Sequence, residues 1–167
     1  PIYHPGETGS VVVDVDPSTD LYLSFLSMVI PSNDAFIGND DPTAYQISQG
    51  GVFQPLVIDV FGSSVWDAGT EFNDEIPANT PLLGQTVPNT GTTQGGLVQF
   101  HGGFLAGGNV LTAFPGADFT APGYQVAQIR IAPVVPAPAS LFLVAMGTTL
   151  VGMRRRSLLE WKPPTRR

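Results

Sequence analysis

Residues 21–30 read LYLSFLSMVI. Successive side chains of a strand point to opposite faces. Leu21, Leu23, Phe25 and Val29 then share one face, and Tyr22, Leu26, Met28 and Ile30 share the other. Both faces are apolar, which predicts a central strand covered on both sides, or a strand whose outer face meets a partner. Pro31 ends it, because proline cannot donate a ladder hydrogen bond. Working outward, residues 11–15 (VVVDV) alternate as a half-buried strand, and residues 16–20 (DPSTD) read as a turn. Residues 52–61 (VFQPLVIDVF) read as a strand with an edge or bulge at Pro55. Residues 97–104 read as a strand broken at Gly102-Gly103, residues 110–114 as a short strand, and residues 124–131 (YQVAQIRI) as the last strand, with Ala127, Ile129 and Ile131 inward. The chain has 167 residues, 19 Gly and 16 Pro, and no helical apolar period precedes residue 133. That is the pattern of an all-β protein, an antiparallel β-sandwich with long loops over residues 1–132.

Charge is distributed unevenly. The seven bases are Arg130, Arg154, Arg155, Arg156, Lys162, Arg166 and Arg167, so residues 1–129 hold no Lys or Arg against thirteen acids. Phosphate contacts need Lys and Arg, which excludes general nucleic-acid binding by this body. An anionic lipid surface would also repel it unless a cation intervened. Cysteine is absent, which excludes disulfides, Cys-zinc sites and cysteine nucleophiles.

The acids concentrate in two stretches. Residues 65–75 (VWDAGTEFNDE) carry Asp67, Glu71, Asp74 and Glu75 with Asn73, and read as a loop rather than a helix or strand. Residues 31–42 (PSNDAFIGNDDP) form a second acidic loop with Asp34, Asp40 and Asp41. Carboxylates that converge without a base repel one another, and Ca2+, which takes six to eight oxygen ligands, relieves that. The alternative is a solvated acidic loop. Asp34 is either a ligand or the cap of its own turn. Paired acids also permit a carboxylate hydrolase, but no HExxH, Gly-x-Ser-x-Gly or phosphate-cradling loop accompanies them. His101 reads as a structural histidine bonding a loop backbone, and Trp66 as an anchor that packs back on the sheets.

Residues 134–153 contain no charge and are followed at once by Arg154, Arg155 and Arg156. Such a run is long enough to cross a bilayer, with the basic cluster on the cytoplasmic side. Three segments result: a domain at 1–132, an apolar segment with its Arg cluster at 133–156, and a polar tail at 157–167.

Two resemblances sharpen these expectations. Val135-Pro136-Ala137-Pro138, the apolar run 139–153 and Arg154 to Arg156 resemble the PEP-CTERM sorting signal of Gram-negative bacteria. Ala137 stands where that motif has Glu, and residues 157–167 extend past its usual end. The resemblance implies transient inner-membrane insertion, exosortase-type processing and export to the cell surface or beyond. The body resembles the spondin domain of bacterial secreted proteins. The resemblance rests on SMVIPSNDAFIGN (27–39), VWDAGTEFNDE (65–75), PNTG (88–91), VQFHGGF (98–104) and ADFTAPGYQVAQI (117–129), and covers roughly residues 20–131. It implies a β-sandwich similar to calcium-dependent membrane-binding domains, with the family's N-terminal strands falling upstream of Pro1. It further implies a calcium site with Asp67, Glu71, Asp34 and Asp74 as ligands, and a turn at Gly69 that aims the first two. The expected function is a non-catalytic, calcium-binding module for adhesion to an extracellular polysaccharide or surface protein. The alternative is a structural subunit of an extracellular polymer or fibre.

Overall fold

The computed structural model describes residues 2–134. The predicted C-terminal transmembrane helix, its Arg cluster and the polar tail lie outside the described residues. Among those described, no helix is long and apolar enough to cross a membrane. Regular structure is almost entirely antiparallel strand, as the alternation predicts, with one short α-helix.

Among the described residues, eight strands build three sheets. β1 (Leu26–Met28), β2 (Ala35–Gly38), β6 (Val65–Asp67) and β7 (Gln99–Phe100) form a four-stranded sheet in the order β1-β2-β6-β7. β3 (Ser48–Gln49) and β4 (Val52–Phe53) form a hairpin. Its turn is Gly50-Gly51, both at positive φ (58° and 76°), the pattern of a tight two-residue hairpin turn. β5 (Leu56–Phe61) pairs with β8 (Gln125–Ile131), with Ile58 opposite Ile129 and Val60 opposite Ala127. The register shifts between Val60 and Phe61, so Val126 is the extra residue of a bulge. That is why Val126 joins Ala127, Ile129 and Ile131 against the core.

The core draws on both larger sheets. Ala35, Ile37 and Val65 come from the four-stranded sheet, Ile58 and Val60 from β5, and Phe119 from the loop before β8. Each such aliphatic side chain contributes roughly 1.5–3 kcal/mol by leaving water. Gly62 lets the chain turn from β5 into β6: a Cβ there would collide with the Phe119 carbonyl.

Several expectations are corrected. Residues 11–15 form no strand; Val11 is 84% exposed, because no neighbouring chain takes up their ladder hydrogen bonds. Residues 21–30 are not one central strand. Leu21 and Leu23 bond to Ile47 and Tyr45, and only β1 joins the main sheet, at its edge. Leu23, Phe25 and Val29 face the core while Leu26 and Met28 stay exposed, so the outer face is uncovered. The strand predicted at 52–61 divides at Pro55 into β4 and β5. Residues 65–67, read as loop, are instead β6, an interior strand: Val65 and Asp67 point inward and Trp66 outward. Of the strand at 97–104 only β7 forms. The strand expected at 110–114 is helix α1 (Asn109–Ala113), started at Gly108.

Candidate functional site

Antiparallel pairing of β2 with β6 puts Ala35 opposite Asp67. The segments that leave this end of the sheet, one through Asp34 and one through Ala68, therefore lie side by side, and Ala68 N–H donates to the Asp34 carbonyl (3.2 Å). The two acidic stretches meet, as the sequence reading requires.

In a body whose one Lys or Arg is Arg130, buried carboxylates must find peptide N–H groups instead. Asp34 is 8% exposed, and its Oδ2 accepts from Thr70 N–H (2.7 Å), Thr70 Oγ1 (2.8 Å) and Glu71 N–H (3.0 Å). Asp34 thus caps its neighbour's loop rather than its own turn. Its Oδ1 is buried and has no hydrogen-bond partner among the described residues. Asp67 uses both oxygens: Oδ1 accepts from Gly69 N–H (2.7 Å) and Oδ2 from the Asn73 amide (2.9 Å). Asp74 Oδ1 accepts from Ile76 N–H (3.0 Å) in a local turn.

Residues 69–72 are held from the other side by residues 92–96. Gly96 N–H donates to Gly69 O, Gln94 N–H to Thr70 O and Phe72 N–H to Thr92 O, and Glu71 bridges Thr93. Gly69 sits at φ 69°, and a Cβ there would approach Gly96 and Leu97 backbone atoms at 2.8 Å. The Glu71 carboxylate lies beside Gly91 of the PNTG turn, where a Cβ would run into it and would also approach the Asn33 amide. Asn33 reaches the 76–80 turn through Asn79 O (3.3 Å).

Glu75, which the sequence reading noted as acidic but did not single out, is buried and holds a different segment. Its Oε1 accepts from Leu105 N–H (2.6 Å) and its Oε2 from Val110 N–H (2.9 Å), at the start of α1. His101 Nδ1 accepts from Gly103 N–H (3.0 Å), so the neutral ring carries its proton on Nε2, which is buried and has no hydrogen-bond partner among the described residues. Burial pushes the His101 pKa down, against the fields of Asp67, Asp34 and Glu75, which push it up. Its ring packs edge-on against Phe104 and Phe119. Trp66 is no loop anchor: it lies on β6 and stacks on Phe100, with ring centroids 4.1 Å apart.

No group of three or more His, Asp or Glu side chains able to hold a metal converges among the described residues. Of the four acids expected as ligands, Asp67 has both carboxylate oxygens engaged, and Asp34 has an Oδ1 without a partner among the described residues. No protein-family model, no curated protein and no solved structure matches the chain.

Proposed function

We propose that the protein is an exported, non-catalytic, spondin-like β-sandwich module that binds Ca2+ at the paired acidic loops and acts in cell-surface or matrix adhesion. The observation that supports the calcium reading most is Asp34 Oδ1. A carboxylate oxygen shut away from water with no donor is strongly disfavoured unless something positive meets it. A hard cation suits an all-oxygen environment of carboxylate, amide and carbonyl groups. In this reading Asp34 and Glu71 are the ligands, with carbonyl groups and water completing the shell. Asp67, whose oxygens are taken by Gly69 and Asn73, is a positioning residue, and Asp74 orders its own turn. The C-terminal segment delivers the module through the inner membrane in the manner its resemblance to the sorting signal implies. The partner is an extracellular polysaccharide or a surface protein.

The test is thermal unfolding with millimolar calcium or with chelator. Calcium raises the melting temperature of the native chain, and Asp34→Asn abolishes the difference. A stabilisation of about 2.7 kcal/mol is expected at a hundredfold excess of calcium over its dissociation constant. Superimposable curves with and without chelator would remove the site.

A second reading, a structural subunit of a fibre, is favoured by one feature. β1 and β7 end the main sheet, and β1 presents Leu26 and Met28 to solvent. Open edges are templates for pairing with another chain.

A further inference from the structure

At the end of β2 and β6 away from Asp34, a cavity of about 140 Å³ opens beside the main sheet. Aromatic rings line it: Phe25, Tyr45, Trp66 and Phe100. Two carboxylates, Asp40 and Asp59, line it as well. It is continuous with an apolar row across the outer face of the sheet, because Met28 pairs with Phe36, Phe36 with Trp66 and Trp66 with Phe100. Directly opposed residues of a sheet share a face, so these four side chains stand in line, one per strand. Met28 and Phe100, at the two edges, are 54% and 61% exposed.

We infer that this groove docks a basic side chain of a protein partner, an arginine or lysine whose charged head meets the ring faces beside Asp40 and Asp59 and whose stem lies along the apolar row. Three observations carry this. Aromatic faces attract cations, most strongly indole, and the attraction grows as water is excluded. The charged groups that line the groove are both acids, Asp40 and Asp59, beside the hydroxyl groups of Tyr45, Ser63 and Ser64. Asn39 has its amide fully engaged, accepting from Phe25 N–H and donating to Ser24 and Asp41. Asp59 meets Gln125 and Gln128 through Oδ1 alone, which leaves Oδ2 to a donor. A neutral sugar would meet the hydroxyl groups but leave the two carboxylate charges unmatched, whereas an ammonium or guanidinium group meets both the carboxylates and the ring faces. Finally, residues 1–129 hold no Lys or Arg, and Arg130, the one Lys or Arg among the described residues, stands opposite Val57 on β8 and does not line the groove. The groove is separate from the Asp34 loop, and its occupancy does not depend on calcium.

The test uses the full chain with Trp161→Phe, so that Trp66 is the only indole. Its N–H resonance is followed while a short peptide containing one arginine is added, and separately its citrulline twin, which has the same shape without the charge. The arginine peptide shifts the Trp66 resonance saturably and the citrulline peptide does not. Asp40→Asn weakens binding severalfold, while Asp14→Asn, an equal charge change on the exposed N-terminal segment, leaves it unchanged. Because Asp40 is exposed and Phe100 lies at a sheet edge, Phe100→Ala supplies a second variant that keeps the core. It too weakens binding. Equal shifts from the two peptides, equal effects of Asp40→Asn and Asp14→Asn, or a saturable response to a neutral oligosaccharide in place of the arginine peptide would each overturn the assignment.

Discussion

At the residue scale, the chemistry follows from the scarcity of bases: residues 1–129 hold no Lys or Arg. Asp34, Asp67 and Glu75 are all buried, and each takes peptide or amide N–H donors where another protein would supply arginine. Such bonds to a charged acceptor are about twice as strong as neutral ones, and they fix the backbone that donates them. His101 stands among these acids yet stays neutral, because burial outweighs their fields. Its folded pKa lies below the ordinary value of 6.5. The unfolded chain therefore binds the proton first as pH falls. The stability that depends on the neutral ring is complete above pH 6.5 and declines as pH drops from there toward the folded pKa. Chemical denaturation at a series of pH values between about 7 and 5.5 should show that decline, and His101→Asn should flatten it. An unchanged slope in the variant would contradict the assignment.

At the element scale, the acidic loop after β6 is a backbone device. Asp34 binds three of its donors on one side, residues 92–96 form a ladder on the other, and Gly69 supplies the positive φ that lets both happen. Gly69→Ala combines an unfavourable φ with contact against Gly96 and Leu97 backbone, which cannot move aside as a flexible side chain would. The expected loss is on the order of 2–4 kcal/mol, read as a lower denaturant midpoint at constant m. Gly116→Ala, where nothing crowds the added methyl, should shift it by less than about 0.5 kcal/mol. Comparable losses at the two positions would show that the crowding at Gly69 is relieved. The elements that sequence reading misplaced share a cause. Residues 11–15 and 110–114 have strand-like composition, but a strand exists only where a partner takes its hydrogen bonds. None reaches Val11, and Glu75 draws Val110 N–H into the start of a helix instead.

At the scale of the whole molecule, two features oppose each other. The main sheet has open edges at β1 and β7, which favour association. The formal net charge of −7 disfavours it. Association measured by sedimentation or scattering should therefore increase with protein concentration and with salt, since salt screens the repulsion over about 10 Å at 0.1 M. Leu26→Lys, which places a charge on the edge strand, should reduce it. A monodisperse monomer at high concentration and high salt would count against the edge-pairing role and against the fibre reading with it.

The sequence alone determined the class of the fold and the electrostatic character of the body. Alternation, Gly and Pro punctuation and the missing bases are local properties that survive without knowledge of neighbours. Residues 124–131 were legible because their alternation is long and regular, and Pro55 because proline breaks a ladder wherever it stands. Asp34 and Asp67 were legible as acids, although Asp67 ends strand β6 and does not lie in a loop. That they lie side by side was decided by the Ala35–Asp67 register, a pairing across 32 positions that no local pattern specifies. The same holds for Glu75, whose role depends on a segment 30 and 35 residues away. It holds too for the aromatic row of the outer face, which exists only because four separated strands align. Hydrogen bonds between distant segments choose among the locally acceptable conformations, and only the folded chain makes that choice.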